Sequence, residues 1–388
     1  MRPIRSVTLS ALTAAALVLS ASACQSGDGA GDIEEVVIGA DLELSGPTAD
    51  IGQAYQRALD LKISQVNDSG VLGNRRLKLD ARDNRSDSSL SLTNVGTFAN
   101  NPDVAAVIMG TCALCVNNVA KTAQDRRVPT IALAPAGLGE IEQRDWIFKV
   151  GPNSIDNAAA LTSEITADRK VKRVGLLRTD DPYGKEGEEA LTDALSNAGV
   201  KVKSVAVRPT DTDVKEAMGT LLGGSRIDAI VVWTLAEQAA LAATRAKEVA
   251  FKGPLFFDGG AAGDLFLSDE GAANGATMVF TQTMVIDDVI ATTPATAARK
   301  QWFRDYTAKF GSYYGYSSFA ADAVQMVTNA LLQSTTLSRE SIRSIVETSQ
   351  FDGLSGPIRI TPDNHSGLMP QALTVLVARN GRWRLATS

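Results

Sequence analysis

The chain has 388 residues, with 38 basic and 44 acidic side chains and a formal net charge of -6. An acidic balance of this kind argues against a nucleic-acid partner, and Cys112 with Cys115, the one closely spaced pair of such ligands, supplies two where a structural zinc needs four, with no second histidine to complete a set. The length exceeds one ordinary core, so two lobes are expected.

Residues 1–23, "MRPIRSVTLSALTAAALVLSASA", carry Arg2 and Arg5, an apolar run from Val7 to Leu19 and a small-residue end. That is the pattern of an export signal peptide, and the apolar run is too short to span a membrane well. The ending "SASAC" resembles a bacterial lipobox, which implies lipidation of Cys24 and a cell-membrane anchor outside the cytoplasm. Ala21 stands where such a box usually has leucine, and ordinary cleavage near Ala23 is the alternative. Removing the signal takes away two positive charges and moves the net charge from -6 to -8. The Gly-rich stretch that follows makes residues 24–33 a flexible tether.

Beyond the tether, short β-branched runs alternate with helical patterns. "EVVIGADL" predicts a strand; Tyr55, Leu59, Ile63 and Val66 then recur at helical spacing. "LKLDARD", "VAAVIM" and "PTIAL" read as strands, with helices "SSLSLTNVGTFAN" and "CVNNVAKTAQD" between them. Around "WIFKVGPNSIDN" the pattern restarts. A helix over 156–168 precedes strand "RVGLLR", helix 184–199, strand "VKSVAV", helix 213–224, strand "IDAIVVW", helix 236–250 and a last core strand, "PLFF". This rhythm predicts two α/β lobes with mostly parallel sheets flanked by helices. From about residue 283 come helices over 296–310, 317–334 and 338–349, then strand segments "GPIRI", "LTVLVA" and "RWRLA". A tail of this kind returns to the first lobe and then to the second. The expected division is 34–150 plus 283–354 for the N-terminal lobe, and 151–282 plus 355–388 for the C-terminal lobe.

Catalytic patterns are scarce. The single histidine, His365, lies in "TPDNHSG", a turn composition that predicts a solvated residue. "YGKEGEE" lacks the upstream glycine and the Ser or Thr of a phosphate loop, and neither a G-x-S-x-G elbow nor a G-x-G-x-x-G fingerprint occurs. The pair Cys112 and Cys115 in "GTCALCVNN" has three readings: a redox dithiol, a structural disulfide, or a pair lining a ligand site. Roughly twelve residues separate Cys115 from "VPT", room for one helix only, so the thioredoxin-like reading is the weakest. Binding has the better physical case. Loops such as "LSGPTADIG", "GTCALC", "APAGLG", "TDDPYG", "WTLAEQ" and "FDGGAAG" follow predicted strands, where main-chain N–H groups at helix starts point outward.

The ordered set "IGADLELSGPTADIGQAYQRALDLKISQVNDSGVLGNRRLKLDARDN", "RRVPTIALAPA", "DDPYGKEG", "AKEVAFKGPLFFDGG" and "FDGLSGPIRITPDNH" resembles the type I periplasmic-binding-protein family, in its branched-chain amino acid group of ABC-importer solute receptors. The resemblance covers essentially the whole chain beyond the signal. It implies two Rossmann-like lobes joined by three crossovers, a ligand in the cleft, delivery to ABC permease subunits in the membrane, no cofactor, no metal and no enzymatic activity. Carried over by position, Thr111, Cys112, Ala113, Leu114 and Cys115 match a segment that holds the ligand carboxylate, with Leu114 in place of a serine. Ala134, Pro135 and Ala136 match the next carboxylate loop, with Ala136 in place of a threonine. Tyr183 keeps an aromatic of the second lobe, and Ile51 falls where an aromatic covers the ligand. Trp233, Leu235, Asp258 and Gly260 match loops facing the ligand, Gly260 replacing the acid that pairs with an amino group. Tyr314 and Tyr316 precede a helix that contributes an aromatic wall. These departures make leucine a poor ligand and point to a small organic carboxylate, aromatic ones included, or an atypical amino acid derivative, bound through main-chain donors at the Cys115 helix start. The alternatives are a ligand-sensing module of the same fold for a membrane signalling partner and, third, an exported dithiol oxidoreductase.

Overall fold

The alternation read from the sequence builds two sheets in the computed structural model, which describes residues 33–133, 138, 144–262 and 270–386. Strands β1 (Glu34–Leu42), β2 (Arg75–Asp83), β3 (Val104–Met109), β4 (Thr130–Ala132) and β5 (Ile147–Lys149) form a parallel sheet in the order β2-β1-β3-β4-β5. Helices α1 (Ala49–Ser69), α2 (Ser88–Asn100) and α3 (Ala113–Asp125) connect the first four. The second lobe runs through α4 (Ser154–Ala167), β6 (Arg173–Thr179), α5 (Pro182–Asn197), β7 (Lys201–Val207), α6 (Lys215–Leu222) and β8 (Ala229–Trp233). It continues with α7 (Ala236–Glu248), β9 (Leu255–Phe257), α8 (Glu270–Ala273) and β10 (Thr277–Thr281). Helices α9 (Pro294–Phe310), α10 (Ser317–Gln333) and α11 (Arg339–Val346) then return to pack on α1 and β3. After the antiparallel pair β11 (Gln350–Asp352) and β12 (Pro357–Arg359), the chain crosses back to β13 (Leu373–Arg379) and β14 (Arg382–Leu385). The second sheet has the order β14-β13-β10-β9-β8-β6-β7, with β13 and β14 antiparallel and the rest parallel.

Strands β3 and β8 are buried at every position. Such continuous apolar runs suit sheets covered by helices on both faces. Helix ends follow their caps: the Asp87 carboxylate accepts from Ser89 and Leu90 N–H at the start of α2, and Gly70, at φ +64°, closes α1. The return of α11 is pinned by Arg339. Its guanidinium donates to the carbonyls of Val104 at 2.8 Å, Ala99 at 2.9 Å, Asn101 at 2.6 Å and Phe98 at 3.2 Å.

Three expectations need correction. "PLFF" is not the last core strand, because β10 inserts between β9 and the antiparallel pair. Helices α3, α4, α5 and α9 begin two residues earlier than periodicity predicts, because Cys112, Asn153, Asp181 and Thr293 cap them. His365 is buried rather than solvated: its Nδ1 lies 2.8 Å from the Ile147 carbonyl and 3.0 Å from that of Arg144, and its ring stacks on Phe148 at 4.5 Å. Its own carbonyl accepts from Lys149 N–H at 2.8 Å, so the tail is stapled to β5 beside the first crossover. Cys24 lies outside the described residues, and no described helix is long and apolar enough to cross a membrane.

Candidate functional site

Each sheet reverses its strand order beside its first strand: β1 lies between β2 and β3, and β6 between β7 and β8. At such a switch point the loops part and leave a crevice outside the carboxyl ends of the strands, where ligands of open α/β sheets bind. The two crevices meet. Ala113, at the start of α3, packs in one apolar cluster with Tyr183 and Trp233 of the second lobe. Tyr316, at the start of α10, places its hydroxyl 2.8 Å and 2.6 Å from the carbonyls of Gly259 and Gly260, and accepts from Ala262 N–H at 3.2 Å.

On the first-lobe side the central group is Glu43, just past β1. Its carboxylate accepts from the main-chain N–H of Thr111 at 2.9 Å and of Cys112 at 3.1 Å, and from Asn84 Nδ2 at 3.2 Å. Asn84 Nδ2 also donates to Asp41 at 3.0 Å, and Asp41 further accepts from Asn94 at 2.8 Å and from the Ser91 hydroxyl. Two glycines make room: a Cβ on Gly110 would stand 2.2 Å from Glu43 Oε2, and one on Gly52 would stand 2.0 Å from the Glu43 carbonyl oxygen. Burial pushes the pKa of both carboxyls up, against these donors. The third donor at this helix start, Cys115 N–H, points to Cys112 Sγ at 3.1 Å, and Cys112 and Cys115 form a disulfide. The expectation that main-chain donors here are left for the ligand is therefore corrected, since Glu43 holds two of them.

On the second-lobe side, Asp258 follows β9. Its Oδ2 accepts from the Tyr183 hydroxyl and from Gly260 N–H at 3.1 Å, while its Oδ1 has no protein partner. Burial raises the Asp258 carboxyl well above the usual carboxylate range, opposed by the Gly260 donor and the charge of Lys149. Lys149 is itself buried, which lowers its pKa against the influence of Glu186 and Asp258. A cavity of about 10 Å³ is lined here by Asn153, Asn157, Tyr183, Trp233, Asp258 and Phe280. That is room for about one water. Asn157 Oδ1 and Trp233 Nε1 also lack protein partners, as do Thr111 Oγ1 and Tyr55 Oη on the first-lobe side. Buried polar groups are nearly always hydrogen-bonded; unpartnered atoms of this kind also occur away from the crevice, at Ser204 and Trp302 among others, and these five are the ones that lie at the facing switch points.

The residues expected from the sequence fall into distinct places. Tyr183, Trp233 and Asp258 come together at the cavity; Ile51 and Leu235 face each other across a second crevice of about 30 Å³. Thr111 and Ala113 are buried at the interlobe junction, whereas Leu114 is 50% exposed and points outward. Gly260 admits no side chain, because a Cβ would stand 2.3 Å from the Thr234 carbonyl oxygen and 2.8 Å from the Tyr183 hydroxyl. Tyr316 clamps the loop after β9, and the carbonyl of Tyr314 accepts from Ser317 N–H at 3.0 Å. Ala134, Pro135 and Ala136 lie outside the described residues. Sequence reasoning missed Glu43, Tyr55, Lys149, Asn157 and Phe280. Asp41 and Glu43, two residues apart at the end of an apolar strand, were the available signal for the first. No group of three or more His, Cys, Asp or Glu arranged to hold a metal occurs among the described residues.

The sequence profile of the family described as periplasmic binding protein matches residues 35–382. Among solved structures, an extracellular ligand-binding receptor from Rhodopseudomonas palustris HaA2 is 21% identical, with 91% of this chain and 99% of that chain covered and a TM-score of 0.81. A leucine binding protein from Thermotoga maritima MSB8 is 20% identical, with 90% and 97% covered and a TM-score of 0.78. A branched-chain amino acid transporter substrate binding protein from Streptococcus pneumoniae, in complex with isoleucine, is 19% identical, with 90% and 98% covered and a TM-score of 0.76. At these identities the likeness establishes the two-lobed fold.

Proposed function

We propose, from the premise that this chain belongs to the periplasmic binding protein family, that it is the extracytoplasmic solute receptor of an ABC importer. It captures a small organic or amino-acid-like solute between its lobes and delivers it to membrane permease subunits. Cys24 carries the lipid that anchors it to the cell membrane, and residues 24–33 serve as the tether. The observation that supports this most is the set of unpartnered buried atoms, Asn157 Oδ1, Trp233 Nε1 and Asp258 Oδ1, beside a cavity at the second-lobe switch point. Such atoms cost free energy that a solute offering matching donors and acceptors recovers. Aromatic rings from Tyr183 and Trp233, whose centroids are 6.2 Å apart, supply apolar walls.

A cavity of about 10 Å³ cannot admit a metabolite without separation of the lobes. Opening about the crossovers after β5, after β10 and after β12, followed by closure on the solute, is the motion this geometry calls for. Solution scattering tests it. Protein stripped of co-purified solute by denaturation and refolding is expected to be more extended, and return of the extracted solute, identified by mass spectrometry, to reduce the radius of gyration. Identical scattering with and without a solute that binds would refute closure as the binding step.

A further inference from the structure

The first lobe carries its own carboxylate at the place where an anionic ligand would dock. A helix start at the carboxyl end of a strand, with its N–H groups pointing outward, favours anions. At α3 the donors of Thr111 and Cys112 are already engaged by Glu43. The carboxylate is seated by construction rather than by chance: Gly110 and Gly52 leave the space it needs, and Asn84 ties it to Asp41. Any ligand carboxylate brought to this side would displace Glu43 or face it at close range, with only the Thr111 and Tyr55 hydroxyls left unpartnered there and no main-chain donor of Thr111 or Cys112 free.

The second lobe repeats the bias. At its cavity the unpartnered atoms are two acceptors, Asp258 Oδ1 and Asn157 Oδ1, and one dedicated donor, Trp233 Nε1. The buried charges near the junction are Asp41, Glu43 and Asp258, with Lys149 as the one buried cation among the described residues. Tyr183, Trp233 and Phe280 line the same cavity as Asp258, an arrangement of aromatic faces beside a carboxylate that suits a nitrogen group carrying positive charge or polarised N–H bonds.

We infer that Glu43 is a built-in occupant of the first lobe's anion site and that the solute is a small nitrogen compound, an amine or amide that offers N–H donors and carries no free carboxylate. This deepens the receptor reading and rests on it. Asp258 and Asn157 receive the N–H groups, Trp233 Nε1 donates to an acceptor on the solute, and Glu43 excludes amino acids by holding the donors their carboxylates need.

The test is a matched series of head groups on two apolar bodies, measured by calorimetry: isopentylamine, leucinamide, leucine and 4-methylpentanoate, and benzylamine, benzamide and benzoate. In the wild type the best amine or amide is expected to bind at least tenfold tighter than its carboxylate counterpart, and a carboxylate that outranks both overturns the proposal. Glu43→Ala supplies the second arm, with acetate as probe. Acetate is expected to raise the melting temperature of the variant and to shift the Thr111 and Cys112 amide resonances saturably, with neither effect in the wild type. Acetate shifting those amides in the wild type, or failing to shift them in a folded Glu43→Ala, also overturns it. If Glu43→Ala does not fold, the head-group ranking and the wild-type acetate titration decide alone. A wild type in which no compound of either series perturbs the indole resonance of Trp233 would contradict the receptor reading itself, while the acetate arm still judges the role of Glu43.

Discussion

Replacing Gly187 with alanine tests how the second-lobe site is packed. Gly187 lies in the middle of α5, and a Cβ there would stand 2.2 Å from Cε2, 2.3 Å from Nε1 and 2.6 Å from Cδ2 of Trp233. Carbon atoms in contact sit about 3.5–4.0 Å apart, so the indole must retreat by more than roughly 1 Å. Trp233 has only the cavity of about 10 Å³ beside it to move into, since it is otherwise fully buried among Ala158, Tyr183 and Leu191. Overpacking of this kind costs about 1–3 kcal/mol, which for a lobe of this size lowers the melting temperature by roughly 2–12 °C. Helix propensity alone has the opposite sign, favouring alanine by about 1 kcal/mol. Gly219→Ala in α6, where nothing stands within 4 Å of the added carbon, is the matched control and is expected to stabilise. Thermal unfolding followed by tryptophan emission reads both outcomes. A Gly187→Ala protein that melts no lower than wild type, with unchanged emission, would refute the packing described for Trp233.

Other outcomes follow from the same contacts. Burial pushes Asp322 up to about 6, against the Ser355 and Leu354 donors and Lys62. Its folded pKa lies above its unfolded one, so its contribution is fully present below about pH 4 and is lost as pH rises through about 6. Relative to wild type, Asp322→Asn should therefore gain about 2 kcal/mol between pH 4 and pH 7 in the unfolding free energy from urea titrations; a constant difference across that range would contradict the sign. Arg339→Met removes four guanidinium contacts to the carbonyls of residues 98–104 and should cost about 2–3 kcal/mol in chemical denaturation. Reduction of Cys112–Cys115 opens a loop of four residues and should cost about 2 kcal/mol. Titration of unreduced protein should find both thiols blocked, and reduced protein should not catalyse insulin reduction.

Much of the fold was legible because burial on both faces writes itself into strands such as "VAAVIM" and "AIVVW" as unbroken apolar runs. Strand β10 was not, since "TMVFT" is short and mixed, and its place in the sheet depends on β13, which lies almost a hundred residues further on. The early helix starts were readable in principle from Asp181 before Pro182, a capping acid followed by a proline in the first turn. For the site, Trp233, Tyr183 and Asp258 stood at strand ends and loops, where position in a βα unit predicts exposure to a cleft. For Glu43 the one signal was its pairing with Asp41 at the end of an apolar strand. An acid beside a strand reads as a wet face, and its burial depends on Gly110 and Asn84, both more than forty residues away, together with Gly52 on the following helix. His365 misled for the same reason, because its partners Ile147 and Arg144 are more than two hundred residues away.

The central claim is that a solute is held at the facing switch points, with Asp258 receiving its donors. The most direct test is the calorimetric affinity of the co-purified solute for Asp258→Asn beside wild type, with Asn keeping the shape of the side chain but losing its charge. At least a tenfold loss of affinity with an unchanged melting temperature of the solute-free protein is the predicted result. Equal affinity in the two proteins would place the solute elsewhere and contradict the account.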